Sequence, residues 1–332
     1  MFINSSKMII MMILLLSTMF IMSNNSWMIS WMLMEINLFS FIPLISNKNS
    51  FSSESLMKYF FVQTICSLTL FLTIMLLINW INIKFLMFKF MNLMILMKMG
   101  SAPIHYWYIQ LIESLSWMNF FLISTWQKII PLIMLTYNFN VNIMYFSIYL
   151  NAFFGAMGGI NQLSLRKILG YSSINHISWM LMSILINENL LNFYYMIYLF
   201  TMMNICMMFF FWNINYLNQM IYFNNFKLNF LYMMMIFLSL GGLPPFLGFL
   251  PKWLMINYMI FNQYYLTSMF LIMMSLIVLF FYFTTIHQNL MFNNFKMKWF
   301  IEFKNNKFKF ITFFNNFILL MSIIMMIFIY FF

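Results

Sequence analysis

Apolar and polar positions in this chain fall into long blocks. Apolar runs of about twenty residues or more recur, separated by short polar joints. About eleven can be marked, near 7–22, 27–45, 56–79, 86–104, 116–137, 142–161, 167–186, 191–212, 229–260, 264–286 and 310–331. At a rise of 1.5 Å per residue, such a run crosses a hydrocarbon layer about 30 Å thick as a helix. The runs are unbroken, whereas a transmembrane barrel strand alternates apolar and polar with a period of two. Backbone polar groups in hydrocarbon must also be satisfied internally. The pattern predicts an all-α polytopic membrane protein of about eleven transmembrane helices, one transmembrane domain over 1–332. The longest polar stretch, 289–309, is predicted to be an amphipathic basic connector with Lys296, Lys298, Lys304, Lys307 and Lys309.

Composition strengthens this reading. Of 332 residues, 64% are hydrophobic and 6% charged, and mean hydropathy is +0.90. Soluble domains carry about 25% charged residues, so too little polar surface exists here to cover a globule in water. The formal charge is +11, and its distribution fixes an orientation. An odd span count puts the termini on opposite sides. Lys7, Lys48, Lys58, Arg166, Lys167, Lys227 and the five connector lysines then share the N-terminal side, and Lys84 and Lys89 the other. The positive-inside rule assigns the crowded side to the cytoplasm or its equivalent. A nucleic-acid partner is not expected: such binding calls for a clustered basic face with aromatic platforms, the one basic cluster is Lys296 to Lys309, and a basic excess in a membrane protein is accounted for by orientation.

Residue usage adds a compartment. The chain has 41 Met, 45 Phe, no Asp and one Arg, and is rich in Asn, Ile, Tyr and Lys. These are residues with A/T-rich codons, and so much Met fits a genome in which ATA also encodes it. An organelle-encoded mitochondrial protein is expected, which makes the N-terminal side the matrix. Met1 leads almost directly into the first run, so no cleavable presequence is expected. Cys66 and Cys206 both lie inside predicted spans without metal-ligand spacing and read as small buried hydrophobes.

Four charges fit no loop. Glu35 lies within Trp27–Ile45, Lys98 within Met91–Ala102, Lys128 within Trp117–Tyr137 and Lys252 between Asn229 and Ile260. At a helix centre each costs about 2.5–3.5 kcal/mol, together on the order of 10 kcal/mol, comparable to a domain's stability. Snorkelling relieves a lysine near a helix end, which suits Lys98 and Lys252 better than Lys128. It does not suit Glu35, whose stem is short.

Helix breakers accompany the lysines. Lys98 precedes Gly100, Ser101, Ala102 and Pro103, and Lys128 precedes Pro131. Lys252 follows Gly241, Gly242, Leu243, Pro244, Pro245 and Pro251. Broken helices at membrane depth occur where they line protein or a wet cavity, and they recur at transporter ion sites. His176 falls among hydroxyls and amides suited to a water chain, and His105 sits just past Pro103. Both are candidate relay groups. His287 reads as interfacial. Gly155, Gly158 and Gly159 read as a close helix contact.

Desolvation and a neighbouring carboxylate act in opposite senses on a buried lysine. A row of such groups titrates as a coupled set, which is the chemistry of a proton relay. The sequence has no Cys cluster, no paired His at haem spacing, no glycine-rich dinucleotide loop and no nucleophile constellation. No metal site or resident cofactor is expected, and the energy must come from elsewhere.

Several stretches then resemble one family, in order. They are Glu35-Ile36-Asn37 with Phe41-Ile42-Pro43, Lys98 to Trp107 (KMGSAPIHYW) and Thr125 to Pro131 (TWQKIIP). Gly158 to Gln162 with Leu165-Arg166-Lys167, Tyr171 to His176 (YSSINH), and Gly241 to Trp253 (GGLPPFLGFLPKW) follow. Together they resemble mitochondrial NADH dehydrogenase subunit 2, a core membrane subunit of respiratory complex I, in an insect-like form. The resemblance covers nearly the whole chain, and the span 310–331 and the connector match in character only. It implies an antiporter-like fold with two broken helices, in which the matches of Glu35, Lys98, Lys128 and Lys252 are the proton-translocation residues. It implies as partners the subunit 4 and subunit 4L chains and the long lateral helix of subunit 5, with lipids around them. NADH, FMN, iron–sulfur clusters and ubiquinone would belong to partner subunits. Ile104 stands where the family usually has Phe, and Asn175 where a small residue is common. Neither belongs to the charged set. A stand-alone cation/proton antiporter and a structural scaffold are the competing readings.

Overall fold

The computed structural model describes residues 5–24, 26–46, 50–79, 84–220, 227–244 and 246–291. The expected span 310–331, the connector from residue 292 onward and Pro245 lie outside the described residues. Among those described there is no strand, only an isolated bridge between Ser164 and Tyr216. The helices are α1 (Ser5–Ser23), α2 (Trp27–Ile45), α3 (Ser50–Asn79), α4 (Lys84–Lys98), α5 (Tyr106–Ser114), α6 (Trp117–Ser124) and α7 (Trp126–Tyr137). They continue as α8 (Val141–Met157), α9 (Leu165–Ile186), α10 (Glu188–Trp212), α11 (Leu217–Met220), α12 (Lys227–Gly241), α13 (Phe249–Phe261) and α14 (Tyr265–Met291). Among the described residues, six stretches are long and apolar enough to cross a membrane: α1, α2, most of α3, the α6–α7 pair, α10 and most of α14.

Two apolar runs are broken, as the breakers predict. The run 86–104 ends as helix at Lys98 and resumes at Tyr106, outside the predicted span. The run 229–260 stops at Gly241 and resumes at Phe249. The interruption expected at Pro131 falls elsewhere. Pro131 lies within α7, and the helix is instead interrupted at Thr125 (φ −119°, ψ −75°). Restarting the helix at Trp126 leaves Pro131 in its second turn, where a missing N–H forfeits one bond and need not end the helix. Pro251 sits in the first turn of α13, where its N–H would have no intrahelical partner.

The chain forms two compact units, 1–151 and 152–332. In the first, α1, α2 and α3 pack in sequence, α3 also meets α4 and α5, and α7 packs on α4, α6 and α1. In the second, α9 is the centre, packed against α10, α13 and α14. Nearly all of its side chains are buried, including Ser172, Ser173, Asn175, His176 and Ser178. A helix so polar is shielded from lipid by its neighbours. By contrast, α1 turns Met8, Met12, Leu16 and Met19 outward, and α14 turns out Leu266, Met269, Met273 and Phe280. Such faces suit hydrocarbon.

Gly155 allows the end of α8 to meet α9, as the glycine spacing predicts. A Cβ there would lie 2.6 Å from the Asn175 nitrogen and 3.0 Å from its Cα, both backbone atoms. Gly155→Val should therefore destabilise by about 1–3 kcal/mol through overpacking, read as a lower thermal midpoint. An unchanged midpoint would contradict the close approach.

Candidate functional site

Both helix breaks end in the same way. At the first, Gly100 has φ +73°, its N–H bonds to the Met97 carbonyl (3.0 Å), and the Ser101 N–H reaches Leu96 (3.2 Å). At the second, Gly242 has φ +79°, its N–H bonds to Ser239 (3.1 Å), and the Leu243 N–H reaches Leu238 (3.2 Å). This is the Schellman closure, which favours glycine at the left-handed position. The open backbone after the first break is held by side chains of α3 and α8 and by its own Ser101. Gln63 donates to the Lys98 carbonyl (3.1 Å), Ser101 Oγ to Leu96 (2.8 Å), and Asn151 Oδ1 accepts from the Ala102 N–H (2.5 Å). The Ala102–Pro103 peptide is cis.

The three lysines are all buried, at 8%, 1% and 5% exposure for Lys98, Lys128 and Lys252. Each is accommodated differently. Lys98 is the last residue of α4, where the helix dipole favours a cation, and its Nζ lies 3.8 Å from Met34 Sδ. Lys252 sits at the opposite pole, one turn into α13. It reaches back across the break, and its Nζ donates to the Gly241 carbonyl at the end of α12 (2.8 Å). Lys128 is near the start of α7, the wrong end for a cation. Its Nζ lies over the Tyr108 ring, 5.1 Å from the centroid, a cation–π distance.

Lys98 and Lys128 share one cavity. Its polar lining comes from Asn37, Tyr59, Gln63, Lys98, Gln127 and Lys128, and Tyr108 adds a ring. It offers about 30 Å³ to the centres of water-sized molecules. About 10–15 Å³ on that measure holds one water, so there is room for about two. Among the described residues, no acidic side chain lines it. Glu35 stands beside it on α2, whose Met34, Asn37 and Leu38 form part of the wall. Glu35 is half-buried, interacts electrostatically with Lys98 and Tyr59, and has one carboxylate oxygen buried without a hydrogen-bond partner.

The histidines do different things. His105 precedes α5, with its Nδ1 3.1 Å from the Pro103 carbonyl and its ring stacked on Tyr106 at 4.6 Å. His176 belongs to the second unit, as does Lys252, and its Nδ1 lies 2.8 Å from the Tyr194 hydroxyl. The serines around it donate to their own helix. Ser172 bonds to Leu169, Ser173 to Gly170 and Ser178 to Asn175, so their protons are already engaged along α9. Asn37, Gln127, Gln63, Asn151 and Tyr108 were not singled out from the sequence. Amides interrupting apolar runs were the signal, but nothing local marked which faced inward. Among the described residues, no three His, Cys, Asp or Glu come together to hold a metal ion.

A membrane helix bundle with two broken helices and buried lysines beside the breaks defines an antiporter-like protein. Residues 24–281 match the family described as NADH:quinone oxidoreductase/Mrp antiporter, transmembrane region. The chain belongs to this family, within it to the NADH-ubiquinone oxidoreductase chain 2 group. It is 40% identical over 337 residues to NADH-ubiquinone oxidoreductase chain 2 of Anopheles gambiae, and 41% identical to that of Aedes aegypti. Each match covers 98% of both chains. Its fold matches a chain of respiratory complex I from Thermus thermophilus with a TM-score of 0.83 at 16% identity. That match covers 96% of this chain and 78% of the other.

Two adjacent glycines separate backbone strain from bulk. A Cβ at Gly242 would meet Lys252 Nζ at 2.9 Å and Cδ at 3.0 Å at positive φ, whereas one at Gly241 meets Leu279 Cγ at 3.5 Å. Gly242→Ala should cost about 1–2 kcal/mol in conformation alone and displace Lys252, while Gly241→Ala should be tolerated. Thermal midpoints of the two variants check this, and equal midpoints would refute it.

Proposed function

We propose that this chain translocates protons across the inner mitochondrial membrane as a core membrane subunit of the NADH:ubiquinone reductase. Glu35, Lys98, Lys128 and Lys252 are the carriers in this reading, with His176 and His105 as secondary relay groups. The observation that carries it is the shared cavity. Two buried lysines line one polar space with room for about two waters. A proton can pass between amines through such waters, and a charge on one lysine disfavours a charge on the other. Glu35 is electrostatically coupled to Lys98, so a change in its charge alters where a proton rests. Each charge moved against the potential costs about 2.3 kcal/mol per 100 mV, and in this reading the energy comes from redox chemistry outside this chain. NADH, FMN, iron–sulfur clusters and ubiquinone in partner subunits would supply it.

The same reading gives partners and placement. The subunit 4 and subunit 4L chains and the lateral helix of subunit 5 would flank it in lipid. The chain would form a single transmembrane domain, with its N-terminus and the basic 289–309 connector in the matrix. A stand-alone cation/proton antiporter, the competing reading, would not comigrate with a large NADH-oxidising assembly.

Proton uptake per NADH oxidised, in sealed membranes, tests the proposal with Lys252→Ala and Glu35→Gln. Assembly should survive while the proton yield falls severalfold. Normal pumping by both variants would sink the relay and leave these charges structural.

A further inference from the structure

Across the cavity wall, two amides bridge the helix of Glu35 to the helix of Lys128. Asn37 Nδ2 donates to Gln127 Oε1 (2.8 Å), and Gln127 Nε2 returns a longer bond to Asn37 Oδ1 (3.4 Å). Asn37 stands two residues after Glu35, and Gln127 immediately precedes Lys128 at the helix restart. Both line the cavity together with Lys98. Asn37 is 4% exposed and Gln127 is half-buried, so the pair closes one side of the cavity. Each amide has two donors and an oxygen with two lone pairs. The reciprocal pairing therefore leaves each with one further N–H and one further lone pair.

We infer that the Asn37–Gln127 pair is a positioning element that orders the water between Lys98 and Lys128 and holds Lys128 in place; this rests on the relay reading above. A water bridging two amines must at one moment donate and at another accept. Spare amide donors and acceptors satisfy it in either orientation. A carboxylate in the same place would accept only and would trap a proton beside the lysine. Neutral amides do not titrate, so they guide transfer without holding charge. The bridge also ties the start of α7, where Lys128 lies at an unfavourable helix pole, to the helix carrying Glu35.

The test uses the assembled complex in sealed membranes, with proton yield per NADH oxidised and complex abundance measured together. Asn37→Leu and Gln127→Leu should each lower the yield severalfold. The exchange Asn37→Gln with Gln127→Asn, which keeps the reciprocal pair and the total side-chain length, should recover most of it. Native yield in both leucine variants overturns the inference, as does an exchange variant that assembles but pumps no better than they do. Gln127→Glu serves where the leucine variants fail to assemble. Its yield should be low at neutral pH and rise as pH falls and the introduced carboxylate becomes a neutral donor. A pH profile unchanged from native overturns the inference. Lys128→Ala run alongside separates the two readings. If it pumps normally, the relay itself fails. If it does not, but the amide variants do, only the bridge fails.

Discussion

Hydrocarbon supplies no hydrogen bonds, so each place where a helix breaks inside the membrane must be closed by the protein itself. Everything distinctive here follows from how that is done. The end of α4 and the end of α12 are both closed by a glycine in the left-handed conformation, which returns two N–H groups to the last turn. What those turns leave over is met from outside. Gln63 and Asn151 serve the first break, and the ammonium of Lys252 serves the second. The lysine at the second break is thus part of the closure as well as a buried charge.

Placing three cations in such an interior calls for three separate solutions. A helix C-terminus favours Lys98, a backbone carbonyl receives Lys252, and the face of Tyr108 lies under Lys128. These contacts are a helix dipole, a carbonyl and a ring face. A paired buried charge is difficult to move, because separating the partners leaves both desolvated and alone. Dipoles and ring faces hold a cation while leaving its proton exchangeable.

The two units divide this chemistry. The first holds the polar cavity with Lys98 and Lys128 and has Glu35 alongside; the second holds Lys252 and His176, with α9 buried at its centre. In α9 the serine hydroxyls are turned back onto their own backbone, which satisfies them in a site without bulk water. The same helix meets α10 through His176, which contacts both Tyr194 and Tyr198.

By itself, the sequence determined the membrane class, most helix positions, the two broken helices and the four misplaced charges. These depend on run length and on local chemistry, since glycine at a helix end and proline in a first turn act within a few residues. Pro131 misled because a proline can be carried inside a helix that restarts five residues earlier, at Trp126. Only the tertiary structure decided that Lys98 and Lys128 share a cavity, that Lys252 turns back to Gly241, and that Asn37 meets Gln127 ninety residues away. The reason is rotational. In a soluble helix the apolar stripe shows which face is buried, but in a membrane helix lipid-facing and core-facing sides are both apolar. The pattern then says that a segment crosses without saying how it is turned about its axis, and every contact of the site depends on that turn.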